Sequence, residues 1–262
     1  MNYKELIQRV IDIAKTTGQY ILNERQQFSA DKVESKSFNN LVSYVDKTAE
    51  KQIIDALKKL LPESGFIAEE QSDLPRHPHT NWIIDPLDGT TNFIHGIPCY
   101  AVSIALHHND EVVLGVIYEC NLNECFYAYK EGGAYLNGNP ISVSETPTLE
   151  KSLIATGFPY DDFEKEQQYF DFLKYLTHQT RGIRRLGSAA VDMAYVACGR
   201  FEAFYEYGLN PWDVAAGIII VQEAGGKLTD FKGGNNCLFG EEIIAGNKMV
   251  HERIVNEIQS YF

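Results

Sequence analysis

Apolar residues recur at helical spacing over residues 3–27, where Leu6, Val10, Ile13, Ala14, Ile21 and Leu22 share a face. This predicts a long surface helix with one buried side. Residues 30–45 alternate instead: Lys32, Glu34 and Lys36 interleave with Val33 and Ser35, and Leu41-Val42-Ser43-Tyr44-Val45 supplies the second arm of a short hairpin. Asp46 ends that arm, and residues 47–61 return to helical spacing with Ile53, Ile54, Leu57, Leu60 and Leu61 inward, stopped by Pro62. Phe66-Ile67-Ala68 is a buried strand that runs into Glu69-Glu70. Residues 71–80 are polar and read as an exposed loop; His77 and His79 lie there with no further ligand pattern around them. Strands follow at 82–84, 100–107, 112–118 and 125–129, the last three as an antiparallel sheet. Gly132 to Gly138 forms a glycine-rich hairpin in which Asn137-Gly138 is the turn. A nucleotide-binding glycine loop would need a helix after it, and Pro140-Ile141-Ser142-Val143 is not one.

A polar stretch with Pro147 at residues 145–152 marks a boundary between an α+β lobe, 1–146, and an α/β lobe, 147–262. Beyond it, strands at 153–156, 183–186, 201–205, 227–230 and 242–245 alternate with helices at 164–179, 191–198, 212–224 and 251–261. Gly225 stands where a left-handed helix cap is needed. Such alternation predicts a mixed α/β fold with helices layered on sheets. The 262 residues, 44% of them hydrophobic, suffice for one large domain or two closely packed lobes.

The formal charge of −13 argues against binding a nucleic-acid backbone, which needs a basic face. It does not exclude a small phosphorylated substrate, because bound cations reverse the local sign. Cysteines 99, 120, 125, 198 and 237 are odd in number and form no CxxC pair; they read as reduced thiols of a cytoplasmic protein. The N-terminal MNYKELIQRV lacks the apolar core of a signal peptide, and no run reaches the length of a membrane span.

The chemistry concentrates in residues 81–93, NWIIDPLDGTTNF. An apolar strand, Trp82-Ile83-Ile84, delivers Asp85 and Asp88 on a turn stiffened by Pro86, and Gly89-Thr90-Thr91 begins a helix. Carboxylates that hold hard cations, beside free amides that hold an anion, are the parts of a metal-dependent phosphate site. Taken alone, the same residues also describe an Asp-Pro turn and a capped helix. Further evidence stands on both sides: Phe66-Ile67-Ala68-Glu69-Glu70 upstream, and Pro211-Trp212-Asp213 before the apolar run 214–221 downstream.

The set resembles the inositol monophosphatase family of sugar phosphatases. The resemblance is carried by Ile67-Ala68-Glu69-Glu70, by Asp85-Pro86-Leu87-Asp88-Gly89-Thr90-Thr91-Asn92-Phe93 and by Trp212-Asp213-Val214-Ala215-Ala216-Gly217. Gly187-Ser188-Ala189-Ala190 and Glu223-Ala224-Gly225-Gly226 also match, in order, over nearly the whole chain. It implies the layered α-β-α-β-α sugar-phosphatase fold and two or three Mg2+ ions. Glu69, Asp85 and the Leu87 carbonyl would hold one ion, Asp85, Asp88 and Asp213 the second, and Glu69 a weaker third through water. Thr90, partnered by Glu69, is the candidate to orient the attacking water, and the Gly89 and Thr90 amides would receive phosphate. Asp46 caps a helix by its spacing; by resemblance its counterpart stands near the metals. Asn40 departs from the family, which often has Asp there, and Lys36 matches a lysine beside the active site.

Gly187, Ser188 and Ala189 match the segment lining the sugar pocket, and Glu206 matches its hydroxyl-binding acid. Arg181, Arg184 and Arg185 form a basic cluster that reads as a solvated edge, a second-anion site centred on Arg184, or a subunit contact. The function implied is hydrolysis of inositol monophosphate or a similar sugar monophosphate, with lithium sensitivity and a homodimer. The alternatives are an NADP 2′-phosphatase, a fructose-1,6-bisphosphatase, a 3′-phosphoadenosine phosphatase, and a non-catalytic regulator of RNA-linked machinery.

Overall fold

A computed structural model describes residues 1–29, 33–35, 41–71, 73–159 and 163–262, with backbone alone at 33, 35 and 41. Lys32, Lys36, Asn39 and Asn40 lie outside the described residues. Helices α1 (Tyr3–Gln26) and α2 (Tyr44–Leu60) form the first layer, and strands β1 (Val33–Ser35) and β2 (Leu41–Ser43) pair antiparallel between them. The sequence pattern started α2 at residue 47; it starts at Tyr44, so Tyr44 and Val45, which read as strand, are helical. The reason is a capping box: the Ser43 hydroxyl accepts the Val45 N–H at 3.1 Å, and Asp46 Oδ2 accepts the Ser43 N–H at 2.9 Å. The free amides of a first turn outweigh the strand preference of two residues.

Under these helices lies a seven-stranded sheet in the order β3 (Gly65–Ala68), β4 (Thr80–Asp88), β5 (Ala101–His108), β6 (Glu111–Glu119), β7 (Glu124–Tyr129), β8 (Ala134–Leu136), β9 (Asn139–Pro140). β3 and β4 run parallel and the remaining pairs antiparallel. β4 does not stop at Asp85. It continues to Asp88 with a register shift between the two aspartates, and Pro86 sits in that irregular stretch, where a residue without an N–H is tolerated. The shift brings both carboxylates to one strand end. Asn137 and Gly138, at φ of 49° and 85°, make the tight turn between β8 and β9.

The third layer is α5 (Ala189–Ala197) and α6 (Pro211–Glu223), both apolar on most sides apart from Asp192 and Asp213 in their first turns and Gln222 and Glu223 at the end of α6, because each is covered on two faces. A second sheet follows in the order β11 (Gly182–Arg184), β10 (Leu153–Thr156), β12 (Ala203–Tyr207), β14 (Glu242–Gly246), β13 (Lys227–Thr229). Helices α4 (Glu166–Gln179) and α7 (Lys248–Ile258) cover its outer face through Phe172, Leu176, Val250 and Ile254. The result is the α-β-α-β-α sandwich, with one apolar core running from the first sheet through α5 and α6 into the second. A short helix, α3 (Thr90–His95), leaves the end of β4. Among the described residues no helix is long and apolar enough to cross a membrane.

The sheet and the third layer meet most closely where β6 crosses α6. A Cβ on Gly115 would lie 2.6 Å from Ile219 Cγ2 and 2.8 Å from the Ala216 carbonyl oxygen. Gly115→Ala must therefore push α6 away, and it should lower unfolding free energy by about 1–3 kcal/mol in urea titrations. An unchanged midpoint would show slack between the two layers.

Candidate active site

The end of β4, the start of α3, the turn after β3 and the N-termini of α5 and α6 open on one cleft. Glu69, Asp85, Leu87, Asp88, Gly89 and Thr90 line it from the first half of the chain. Gly187, Ser188, Ala189, Glu206 and Asp213 line it from the second. Among the described residues, the candidate ligands, catalytic groups and substrate contacts drawn from the sequence are all there except Asp46, which is joined to the cleft through Thr90, and Arg184.

Asp85 is 2% exposed and accepts the Leu87 N–H at 2.9 Å. Burial raises its pKa well above the usual carboxylate range, and the charges of Glu69, Asp88 and Asp213 push it further. Asp213 is the third residue of α6; its Oδ2 accepts the Asn210 N–H at 2.7 Å, and burial followed by the charge of Asp88 raises its pKa as well. Asp88 reaches across to α5, where its Oδ2 accepts the Ser188 hydroxyl at 2.6 Å and the Ala190 N–H at 2.7 Å. Those bonds restrain it to about 6 against the burial that pushes it up. In Asp88 and Asp213 one oxygen of the carboxylate serves as a helix cap, so cap and ligand are compatible roles.

The Thr90 hydroxyl donates to Asp46 Oδ1 at 2.7 Å, with the Leu87 carbonyl at 3.0 Å as a second acceptor. The sequence reading gave Thr90 the partner Glu69; the structure joins it to Asp46, with Glu69 on the same cleft. Asp46 is fully buried, and burial raises its pKa while its bonds from Ser43 and Thr90 oppose the rise. Gly89, at φ of 96°, makes the left-handed corner between β4 and α3. The Glu69 N–H donates to the Ile84 carbonyl at 3.3 Å, which ties the acid to β4.

Arg184 does not face the cleft. It ends β11 exposed and donates to the Ile183 carbonyl, whereas the next residue, Arg185, lines the cleft with its guanidinium 5.9 Å from the Phe158 ring centre. Glu206 on β12 is buried, and burial lifts its pKa to about 8 against the opposing charge of Arg185. Sequence reasoning missed Gly157, whose Cβ would stand 2.1 Å from the Glu206 carboxylate, and Asp192, a cleft residue on α5. For Asp192 a signal existed: it is the one charged residue in AAVDMAYVA. Cys99 is no nucleophile candidate, since burial pushes its thiol up to about 12.

Glu69, Asp85, Asp88 and Asp213 offer only oxygen donors, the chemistry of a hard-cation site. Among the described residues no three His, Cys, Asp or Glu side chains are drawn together tightly enough to hold an ion as they stand. The mutual charge effects on Asp85 and Asp213 show carboxylates near enough to repel. Positive charge among them is what would relieve that repulsion.

A five-layer α/β sandwich with an acidic cleft at the helix N-termini of its middle layer defines a sugar-phosphatase type of architecture. The family model for the inositol monophosphatase family matches residues 2–261, and the chain belongs to that family. It is 42% identical over 232 residues to the fructose-1,6-bisphosphatase/inositol-1-monophosphatase of Thermotoga maritima, covering 87% of this chain and 88% of the relative. It is 39% identical over 253 residues to the Nus factor SuhB of Pseudomonas aeruginosa, covering 95% and 93%. The crystal structure of extragenic suppressor protein suhB from Bartonella henselae superposes with a TM-score of 0.92 at 38% identity, covering 97% and 98%.

The acids make a stability prediction. Asp88 at about 6 and Glu206 at about 8 lie above free carboxyls at about 4. The folded chain therefore binds more protons than the unfolded chain across that window, and these groups lower stability as pH rises through it. Metal-free protein should lose thermal stability between about pH 4 and about pH 8, Asp88 contributing up to about pH 6 and Glu206 up to about pH 8. Mg2+ should raise the melting temperature more at the higher pH. Calorimetry at about pH 6 and about pH 8, in EDTA and in Mg2+, checks both, and an equal Mg2+ effect at the two pH values would count against Asp88 as a ligand.

Proposed function

We propose that the chain is a Mg2+-dependent phosphomonoesterase acting on inositol monophosphate or a similar sugar monophosphate. The observation that carries this reading is the cleft itself: four acids from three elements around a threonine hydroxyl held by a buried aspartate. Glu69, Asp85 and the Leu87 carbonyl would hold one cation, and Asp85, Asp88 and Asp213 another, with a third depending on Glu69. When bound, the cations neutralise phosphate charge and act as Lewis acids.

The remaining work falls to the chain. Thr90 has one hydroxyl proton, and Asp46 takes it at 2.7 Å. Toward the cleft the Thr90 oxygen can therefore only accept, so it orients a water by receiving its proton. Asp46 is suited to draw that proton onward because burial raises its proton affinity. Glu69 flanks the same water position, the amides of Gly89 and Thr90 receive phosphate oxygens at the start of α3, and Glu206 accepts a hydroxyl of the leaving alcohol. Gly187, Ser188 and Ala189 form the floor of the sugar pocket.

The likeness to a Nus factor favours a second reading, a regulator of RNA-linked machinery. The retention of all four acids and of the Thr90–Asp46 pair supports the enzyme. We also carry forward a cytoplasmic homodimer, inhibited by lithium.

Phosphate release from inositol 1-phosphate, fructose 1,6-bisphosphate, 3′-phosphoadenosine phosphate and NADP, in EDTA and then in Mg2+, tests the reading. Inositol 1-phosphate should be turned over best, and only with Mg2+. Turnover in EDTA, or none on any ester, would overturn it. Preference for NADP would leave the chemistry and reassign the substrate. Thr90→Ala keeps the phosphate-binding amide and deletes the hydroxyl, so kcat should fall at least about a hundredfold with KM little changed. A raised KM at constant kcat would make Thr90 a binding contact only.

A further inference from the structure

Asp192 has no structural employment in the fold. It occupies the first turn of α5, yet the capping of that helix is done by Ser188, whose hydroxyl accepts the Val191 N–H at 3.3 Å, and by Asp88 on the Ala190 N–H. Its neighbours along the helix are all apolar or small, and it is 1% exposed. Its Oδ1 is buried with no hydrogen-bond partner among the described residues. A desolvated carboxyl oxygen with nothing bound to it is among the least favourable groups a core can keep. Asp192 nonetheless lines the cleft, where the charged groups facing it are Asp88 from β4, Glu206 from β12 and Arg185 after β11.

Glu206, whose charge acts on Asp192, has its carboxylate given room by Gly157. Both line the cleft, and the charge of Asp88 acts on each, whereas the charges acting on Asp85 are those of Glu69, Asp88 and Asp213; a leaving alcohol would lie beside the pair once phosphate occupies the Gly89 corner. We infer that Asp192 is a second recognition carboxyl for that alcohol, so that Asp192 and Glu206 each accept a hydrogen bond from neighbouring hydroxyls of a polyol ring. This rests on the phosphatase reading above. It makes Asp192 a specificity residue that selects alcohols with two adjacent hydroxyl donors over alcohols with one or none, because an alcohol lacking a donor leaves a buried acceptor unpaired.

The test compares two esters of one ring, inositol 1-phosphate and cyclohexyl phosphate, in saturating Mg2+ with wild type, Asp192→Ala and Asp192→Asn. The readout is the ratio of kcat/KM between the esters. Asp192→Ala should lower that ratio about 10- to 100-fold, chiefly through KM for the inositol ester, as expected when a buried hydrogen-bond partner is removed and the group it served is left unpaired. Asp192→Asn keeps an acceptor oxygen at nearly the same volume and should recover part of the ratio. An unchanged ratio, whether both esters suffer equally or neither does, overturns the inference, as does failure of both variants to fold, which would make Asp192 a core residue. Wild type inert toward both esters would instead sink the phosphatase reading itself.

Discussion

Asp85, Asp88 and Asp213 are acids that burial and mutual repulsion would drive apart, and the fold holds them in one cleft by giving Asp88 and Asp213 helix N-termini to bind and Asp85 an amide of its own strand. How much each acid receives differs. Asp88 receives a hydroxyl and two amides from the start of α5, while Asp85 and Asp213 each receive a single amide. Charge-assisted bonds contribute about 1.5–3 kcal/mol each, and the better-served acid is the one kept nearest the ordinary carboxylate range. Burial still prevails in all three. The cleft is therefore poised to favour a cation, and the layers around it exist in this arrangement because α5 and α6 must point their first turns at the same place.

The same oxygen economy explains why local and functional readings of these residues coincide. Asp213 completes a capping box with Asn210, Asp46 completes one with Ser43, and Asp88 caps α5 from a different sheet. In each, a second oxygen remains for something else; in Asp46 it receives the Thr90 hydroxyl. A cap also fixes the rotamer of the side chain that makes it, so the free oxygen is aimed before any ligand arrives. The helix ends thus preorganise the site.

The other wall of the cleft has a different character. Glu206, Asp192 and Arg185 come from β12, α5 and the turn after β11, and these charges meet with the aromatic ring of Phe158 beneath the arginine. Nothing in that wall is satisfied by capping. Gly157 is the space-making residue, since any side chain there would collide with Glu206. One wall is bound into secondary structure and the other is left to meet a ligand, a division suited to an invariant phosphate chemistry joined to a variable alcohol.

Much of this was legible in the chain as written. Periodicity located the long helices and the antiparallel strands, and the FIAEE, NWIIDPLDGTTNF and PWD motifs named all four acids, because strand, turn and cap residues are set by local sterics and hydrogen bonding. Boundaries failed where a cap overrode propensity, as at Tyr44-Val45, or where a strand absorbed a proline at a register shift, as at Pro86. What only the tertiary structure decided were contacts between residues far apart in the chain. Thr90 found Asp46 across 44 positions, Ser188 found Asp88 across 100, and strand geometry sent Arg185 inward and Arg184 out. Local sequence carries the identity of each functional group. Which oxygen faces which proton depends on how two sheets and the helices between them pack, and no short-range pattern encodes that.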